Sequence, residues 1–454
     1  MTETVRPTEA STLLKSSSSG QEDASNKTRN NFYLMALFFS TNHGCMVACL
    51  SLATARLGAV GAIQSGVLSL SYMASAVLGA TYVVKRFGAR NAMLTGMLLY
   101  CAYVACFWVA TSYPAMEQVA ALTGATIGGF GAGFLWTAQG SYLAMAAKHQ
   151  AKESSTDLSE CTSNLAGVFA FIYLIVELGI RFMPTVLAGF VSWKSIYAIY
   201  TAIAFSSAFG MLLVTDYGID DEENPSTSVF YKVTAALQLL FKDPKMKYMI
   251  GLSAAFGLAS SFLNSYINGE VVKVALNDPD SVYVGALSSW ISLSAALTSL
   301  VFRRVRNKGA VLIGGAMCFF FVAFPFVVQP DASMWNAPGL LTVYTLHGVG
   351  RSTFESTLKA TFIDFFPTET AGAFSNIILQ SGLSTAVGYF LSVRLECQEP
   401  SRYCIEYSDR TLHDVLSFEL LVCFTAIAAI LGYLRAANIH KMEQEEKAGL
   451  VLNV

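Results

Sequence analysis

Long apolar segments follow one another through most of this chain, and each is roughly 20 residues long, the length of a helix that crosses a bilayer. Only 13% of the 454 residues are charged, whereas about 25% is usual for a soluble domain. The apolar residues are therefore too many and too evenly spread for a soluble core. The sequence predicts an all-α polytopic membrane protein with twelve transmembrane helices, at residues 32–55, 60–84, 91–112, 116–147, 164–190, 193–214, 247–269, 282–302, 309–329, 338–363, 370–393 and 413–436.

The balance of charge and the known chemical motifs exclude several classes of function. The formal net charge is only -2, and a nucleic-acid partner requires a basic surface. No Cys/His spacing suggests a metal site, and no phosphate-binding loop or nucleophile elbow occurs in the sequence. We therefore expect no catalytic residues, no cofactor and no enzyme activity, and we expect the lipid bilayer to be the main partner.

Lys and Arg residues concentrate in alternate loops, which predicts the orientation of the chain in the membrane. The basic loops at 85–90 and 303–308 fall on the same side as both ends of the chain, and basic loops usually face the cytosol. We therefore expect cytosolic N- and C-termini. Cys397 and Cys404 then share a non-cytosolic loop, where an oxidising compartment would allow a disulfide between them.

The N-terminal segment contains a short sorting pattern. Glu9, Leu13 and Leu14 match the acidic dileucine signal that clathrin adaptors read, although so short a pattern also occurs by chance. If the signal is used, it directs the protein to an endolysosomal or vacuolar membrane. The plasma membrane is the alternative location.

The longest break between predicted helices divides the chain into two equal sets of helices. It runs from 215 to 246 and contains the acidic residues 220–223. Six helices on each side suggest two related halves, as in many transporters. The predicted organisation is an N-terminal tail (1–31), a six-helix bundle (32–214), a cytosolic linker (215–246), a second six-helix bundle (247–436) and a C-terminal tail (437–454).

Charged residues occur in pairs within two of the predicted helices. Glu177 and Arg181 lie four residues apart in the fifth helix, and Arg351 and Glu355 do so in the tenth. This spacing places each pair on one helix face, and a charge at membrane depth costs a few kcal/mol unless it is paired or meets water. Two interpretations remain open: ion pairs that fix helix packing, or residues of a substrate path, ion path or gate. A further hypothesis is that Glu177 pairs with Arg351 and links the two halves.

The fourth predicted helix carries the most specific string, G-G-F-G-A-G-F-L-W-T-A-Q-G-S-Y-L, at residues 128–143. Its small residues allow a neighbouring helix to approach closely or a partner protein to dock; the glycines are Gly129, Gly131 and Gly133, with Gly348 and Gly350 in the tenth helix. Trp136, Gln139 and Tyr142 follow at spacings of three and share a face. That face lines a cavity in one interpretation and packs in the core in the other.

Two six-helix halves joined by a cytosolic linker resemble the major facilitator superfamily. The loop at 85–90 is similar to its signature between helices two and three, which implies a cytosolic loop gate at Arg86, Gly88 and Arg90, although Lys85 stands where an acidic residue is usual. The string at 128–143, together with residues 348–366 and 371–376, resembles the Unc-93-like branch of this superfamily.

The family resemblance implies two functions. Members of the Unc-93-like branch regulate potassium channels, escort receptors to endolysosomes, contribute to potassium balance in plants or are orphan solute carriers. We therefore expect a secondary carrier for a small solute or cation that works by alternating access. The alternative is a non-transporting regulator or trafficking partner of an ion channel or membrane receptor.

Overall fold

Helices make up almost all of the computed structural model, which describes residues 7–218, 229–302, 304–367, 369–395, 404–406 and 412–452. A short hairpin pairs β1 (Cys404–Glu406) with β2 (Leu412–Asp414) in antiparallel fashion. Two π-helical turns occur, at Leu263–Val271 and at Thr353–Leu358. The helices are α1 (Pro7–Leu78), α2 (Ala80–Phe87), α3 (Ala89–Ser112), α4 (Glu117–Ser154), α5 (Leu158–Leu187), α6 (Trp193–Gly210), α7 (Val229–Lys242), α8 (Pro244–Phe262), α9 (Val272–Ala275), α10 (Tyr283–Phe302), α11 (Lys308–Val328), α12 (Ala337–Ser352), α13 (Lys359–Phe365), α14 (Thr370–Arg394) and α15 (Val415–Leu452).

Helix α1 contains the first two predicted spans, separated by a break at Gly58. The backbone there has φ 53° and ψ -130°, a conformation that glycine adopts easily and other residues avoid. Within the described residues, nine helical segments are long and apolar enough to span a membrane, and the first of them, Ser25–Leu78, includes both parts of α1. The ranges predicted for helices ten and eleven are helical but do not meet this criterion. The count of twelve therefore stays a prediction.

The glycines of α4 lie against helices of the same half. A Cβ at Gly129 would overlap the side chain of Ser71 in the second part of α1, and one at Gly131 would lie 2.8 Å from Cβ of Leu99 in α3. Gly133 also faces the second part of α1. The idea that this glycine flank is a docking surface for a partner protein is therefore wrong, because the chain's own helices cover it.

Helix α12 is packed in the same way as α4. A Cβ at Gly348 would lie 2.7 Å from the carbonyl oxygen of Ile291 in α10, and one at Gly350 would overlap the ring of Phe319 in α11. Each of these two helices is thus held closely by two neighbours through glycines two positions apart. This packing fixes the positions of the side chains that follow the glycines in α4 and α12.

Polar contacts tie the first half of the chain (residues 7–218) to the second half (229–452) at the end predicted to be non-cytosolic. Asn268 Nδ2 donates to the carbonyl oxygen of Ser51 over 3.1 Å. Arg56 Nη1 donates to the carbonyl oxygen of Asp280 over 3.1 Å. The two halves are therefore joined directly at this end of the bundle.

The loop between α2 and α3, predicted as a cytosolic gate, contacts the end of its own half. Gly88 sits between the two helices with φ 78°, and Arg90 Nε lies 3.6 Å from Asp216 Oδ2. Arg86 lies in the last turn of α2. Asp216 thus supplies an acidic partner near the loop in which Lys85 replaces the usual acid. The role of the loop as a gate stays a prediction.

Two predictions lie outside what the structure describes. Cys397 is not among the described residues, and for Cys404 only the backbone is described. The side chains of Glu9, Leu13 and Leu14 are likewise not described. The disulfide and the sorting signal therefore stay predictions.

Candidate functional site in the membrane interior

Helices α5 and α12 each present an ion pair formed by residues four positions apart. Arg181 Nε lies 3.0 Å from Glu177 Oε1 on α5. Arg351 Nε donates to Glu355 Oε1 over 2.8 Å, where α12 runs into the π-helical turn. Residues at this spacing are neighbours on a helix surface. The local pairs therefore follow directly from the sequence spacing.

A third and stronger contact joins the two helices. Arg351 Nη1 donates to Glu177 Oε1 over 2.9 Å, and Arg351 Nη2 donates to Glu177 Oε2 over 3.1 Å. Paired bonds of this kind are both stronger and more directional than a single hydrogen bond. The two halves of the chain are thus linked through a side chain of each, which is the contact that the sequence hypothesis described.

Glu177 is the buried centre of this arrangement. Its side chain is 0% exposed and also accepts a hydrogen bond from Ser292 Oγ in α10 over 2.9 Å. Arg181 in turn donates to the carbonyl oxygen of Ser288 over 3.1 Å, again in α10. A buried charge is tolerated when it is paired and hydrogen-bonded. The Glu177 carboxylate meets both conditions, because two arginines and a serine surround it.

Glu355 differs from the other three charged residues in its access to the surroundings. Its side chain is 38% exposed, whereas that of Arg351 is only 10% exposed. It lies in the π-helical turn Thr353–Leu358, and such turns are frequent at functional sites. Glu355 is therefore the most accessible of the four charged side chains.

Tyr173 of α5 and His43 of α1 extend the network toward α1. Arg351 Nη2 donates to the Tyr173 hydroxyl over 3.2 Å, and that oxygen lies 3.2 Å from His43 Nε2. The hydroxyl oxygen can accept a second hydrogen bond or donate its own hydrogen, so the tautomer of His43 decides which of the two groups donates in this contact.

These two residues were missed as members of the site. Tyr173 lies four residues before Glu177, so helical spacing could have placed it on the same face. His43 belongs to a distant helix, α1, so helical spacing does not relate it to Glu177. Only the folded arrangement brings it to Tyr173.

Trp136 lies at the edge of the same network. Its ring centroid is 5.2 Å from that of His43, 5.7 Å from that of Tyr173 and 5.1 Å from that of Phe39. Gln139, one turn further along α4, is buried at 8% exposure. The Trp136 ring thus packs against the two aromatic residues of the network, Tyr173 and His43.

Tyr142 belongs to a different environment from Trp136, although the two were predicted to share a face. Its hydroxyl accepts from Asn31 Nδ2 over 2.7 Å and donates to the carbonyl oxygen of Thr215 over 2.9 Å. These contacts join α4 to α1 and to the segment that follows α6. Trp136 and Tyr142 therefore have the spacing of one helical face, but they contact different parts of the protein.

Comparison with known proteins identifies the class of protein to which this fold and site belong. Residues 31–390 match the model of the Major Facilitator Superfamily. The chain therefore belongs to that superfamily.

Within the superfamily the chain is Unc-93-like, as the motifs of helices four and ten predicted. It is 23% identical over 367 residues to UNC93-like protein 3 of Arabidopsis thaliana, with 75% of each chain covered. It is 22% identical over 346 residues to protein unc-93 homolog A of Bos taurus, covering 66% of this chain and 74% of the relative.

Solved structures confirm the fold class. The nucleoside transporter NupG superposes with a TM-score of 0.65 at 13% identity, covering 89% of this chain and 99% of its own. A peptide transporter of the POT family in complex with sulfate gives a TM-score of 0.64 at 11% identity, covering 93% of this chain and 98% of its own. The chain is thus a multi-pass membrane protein of transporter fold.

Proposed function

We propose that this protein is a secondary carrier that moves a small solute or cation by alternating access. One observation carries the proposal: Arg351 lies between a buried carboxylate of the other half and an exposed carboxylate of its own half. Intramembrane ionisable residues in such a position are typical of ion and proton pathways. The structural neighbours include a nucleoside transporter and a peptide transporter, which supports transport as the activity.

The partners of Arg351 suggest how binding could be coupled to movement of the halves. A proton or cation bound to Glu355 would weaken the attraction between Glu355 and Arg351. The Arg351 guanidinium would then be paired with Glu177 alone. An anionic group of a solute would instead compete with Glu177 for Arg351 and weaken the link between halves. A ligand shifts a conformational equilibrium only through such differential contacts. Glu355 is therefore the proposed binding residue, and the Glu177–Arg351 pair is the proposed gate.

Flux into proteoliposomes tests this proposal. The purified chain would be studied under imposed potassium, sodium and proton gradients, with Glu355→Gln as the test variant. Lys359→Gln is the matched control, because Lys359 is exposed one turn further along the same helical run. We expect gradient-driven flux in the unaltered chain and in the control, and its loss in Glu355→Gln.

Two results would contradict the carrier proposal. Undiminished flux in Glu355→Gln would exclude the proposed coupling residue. If proteoliposomes with folded protein show no flux of these ions or of common organic solutes, the transport proposal is overturned. The result would favour the alternative function, regulation of a channel or receptor. Co-purification of a stoichiometric membrane partner would then be the next measurement.

The orientation and the membrane also belong to the proposal. We propose cytosolic termini, in keeping with the positions of the basic loops. Protease or epitope access to each terminus in sealed vesicles tests the orientation. Imaging of a Leu13→Ala, Leu14→Ala variant tests whether the dileucine pattern sends the protein to endolysosomal or vacuolar membranes rather than to the plasma membrane.

A further inference from the structure

Glu419 is a buried carboxyl group in a helix that has no part in the charged network of α5 and α12. It lies in α15, within a segment of mean hydropathy 2.3 that is long enough to span a membrane. The residue is 0% exposed. Neither carboxyl oxygen has a hydrogen-bond partner among the described residues. Glu177, which is equally buried, has two arginines and a serine around it.

The residues near Glu419 in the sequence contact α8 and α11 through uncharged groups or are acidic. The neighbouring Phe418 packs edge-on against Phe262 of α8, with ring centroids 5.3 Å apart. One turn further along, Cys423 Sγ points to the carbonyl oxygen of Phe320 in α11 over 3.8 Å. The charged residue nearest to Glu419 in the sequence is Asp414 at the end of β2, which accepts a hydrogen bond from the backbone amide of Ser417 over 3.3 Å. None of these contacts supplies a positive charge.

Basic residues on the neighbouring helices lie elsewhere. Lys245, at the far end of α8, lies 2.5 Å from Glu443, and Lys308, at the far end of α11, lies 2.6 Å from Asp364. Arg394 at the end of α14 is exposed. The tyrosines and cysteines of α15, α8 with its π-helical turn, α11 and α14 are neutral at pH 7 in their usual protonation states; they are Cys423, Tyr433, Tyr248, Tyr266, Cys318 and Tyr389. Glu270 in the π-helical turn lies 3.9 Å from Lys273. Arg435, the first basic residue after Glu419 on α15, follows it by four to five helical turns, about 24 Å along the helix.

An ionised carboxylate in this position would be very costly. Moving an isolated charge into an apolar interior costs far more than leaving a neutral polar group without a partner, so the group takes up a proton instead. We propose that Glu419 is a protonated carboxylic acid at neutral pH, and thus a proton-binding site of the second half that is separate from the central ion pairs. The proposal does not depend on transport, because it rests on burial and on the absence of hydrogen-bond partners in the part of the chain that the structure describes.

Protonation also has a consequence for packing. Loss of the proton would place an unpaired negative charge between α15, α8 and α11. That charge could be relieved only by water entering the interface or by α15 moving outward. The packing of α15 should therefore weaken as Glu419 ionises.

An apolar carbodiimide tests the protonation state directly. Dicyclohexylcarbodiimide takes the carboxyl proton on one nitrogen while the carboxylate oxygen bonds to its central carbon, and the O-acylisourea then rearranges to a stable N-acylurea that retains all atoms of the reagent. The full chain in liposomes would be treated near pH 7 and Glu419 followed by peptide mass spectrometry. We expect labelling of Glu419, its loss in Glu419→Gln, and no labelling of Glu445, whose side chain is exposed. Labelling of Glu419 only under acidic conditions would overturn the proposal.

A thermal unfolding series covers the case in which the reagent cannot reach the site. A carboxyl that holds its proton in the folded state but ionises when unfolded makes stability fall as pH rises. Glutamine has nearly the same shape and cannot ionise. We expect Glu419→Gln to match the unaltered chain near pH 4 and to unfold at a higher temperature near pH 8. A difference in unfolding temperature that stays constant across this range would overturn the proposal, whether or not labelling is seen.

Discussion

Replacing Glu177 by glutamine should destabilise the protein more than any other single change in the charged network. The variant removes a carboxylate that is 0% exposed and is contacted by Arg351 at 2.9 and 3.1 Å and by Arg181 at 3.0 Å. Two arginine side chains, each 10% exposed or less, would then remain buried with less negative charge around them. Breaking a buried pair by removing one partner costs about 3–5 kcal/mol.

Glu355→Gln is the matched control for this change. It makes the same chemical substitution, but the side chain is 38% exposed and has a single ionic contact, with Arg351. Arg351 keeps both of its contacts with Glu177 in this variant, so we expect a cost of about 1 kcal/mol or less, near the range of accessible ion pairs. The free energy of unfolding should therefore fall several times more in Glu177→Gln than in Glu355→Gln, as measured by denaturant titration of the purified protein in mixed micelles.

The pairing itself is measured by a double-mutant cycle with Arg351→Gln. Exchange of the two charges would be a poor test, because an arginine at position 177 would face Arg181. In the neutral double variant the second substitution should cost less than it does alone, with a coupling energy of about 0.5–3 kcal/mol. Strict additivity, or a Glu177→Gln variant as stable as Glu355→Gln, would refute the interpretation of Glu177 as the buried centre of the network.

Three further changes test the packing of the fold, each by its effect on stability or protease access. Gly129→Ala should cost about 1–3 kcal/mol of unfolding free energy, because its Cβ would meet Ser71 in a packed interface. Gly140→Ala is the control and should be neutral or stabilising, because a Cβ there would have no atom within 4 Å. Equal effects of the two substitutions would contradict the close approach of α4 and α1. Gly58→Ala should cost at least about 1 kcal/mol, because φ there is 53°, and an unchanged unfolding temperature would argue against the break in α1. Lys245→Met removes the contact of 2.5 Å with Glu443 and should speed proteolysis of the end of α15, an effect that Lys245→Arg should largely avoid.

Sequence reasoning located the helices well because apolar length alone identifies a membrane-spanning segment. It also identified the local ion pairs, since residues four apart on a helix must be neighbours. The contact between Glu177 and Arg351 could only be one hypothesis at that stage. Which helices face each other depends on the tertiary arrangement, and helical spacing carries no information about it.

Tyr142 and Ser292 show the same limit. Tyr142 follows Trp136 on one helical face, yet α4 runs from Glu117 to Ser154 and meets different neighbours along its length. Tyr142 reaches Asn31 near the start of the described side chains. Ser292, which binds Glu177, carried no signal, because serines are common in membrane helices. Helical periodicity predicts which side of a helix a residue lies on, but it does not predict which neighbouring residue it contacts.

The matching glycine contacts of α4 and α12 have a consequence for the side chains that follow them. Gly129 and Gly131 meet the second part of α1 and α3, as Gly348 and Gly350 meet α10 and α11. Counting the same number of residues beyond each pair brings Trp136 of one half into register with Glu355 of the other. Equivalent packing contacts are thus followed by unlike side chains, an aromatic ring on α4 and a carboxylate on α12. A ligand that reached both helices would meet an aromatic surface on one side and a charged surface on the other.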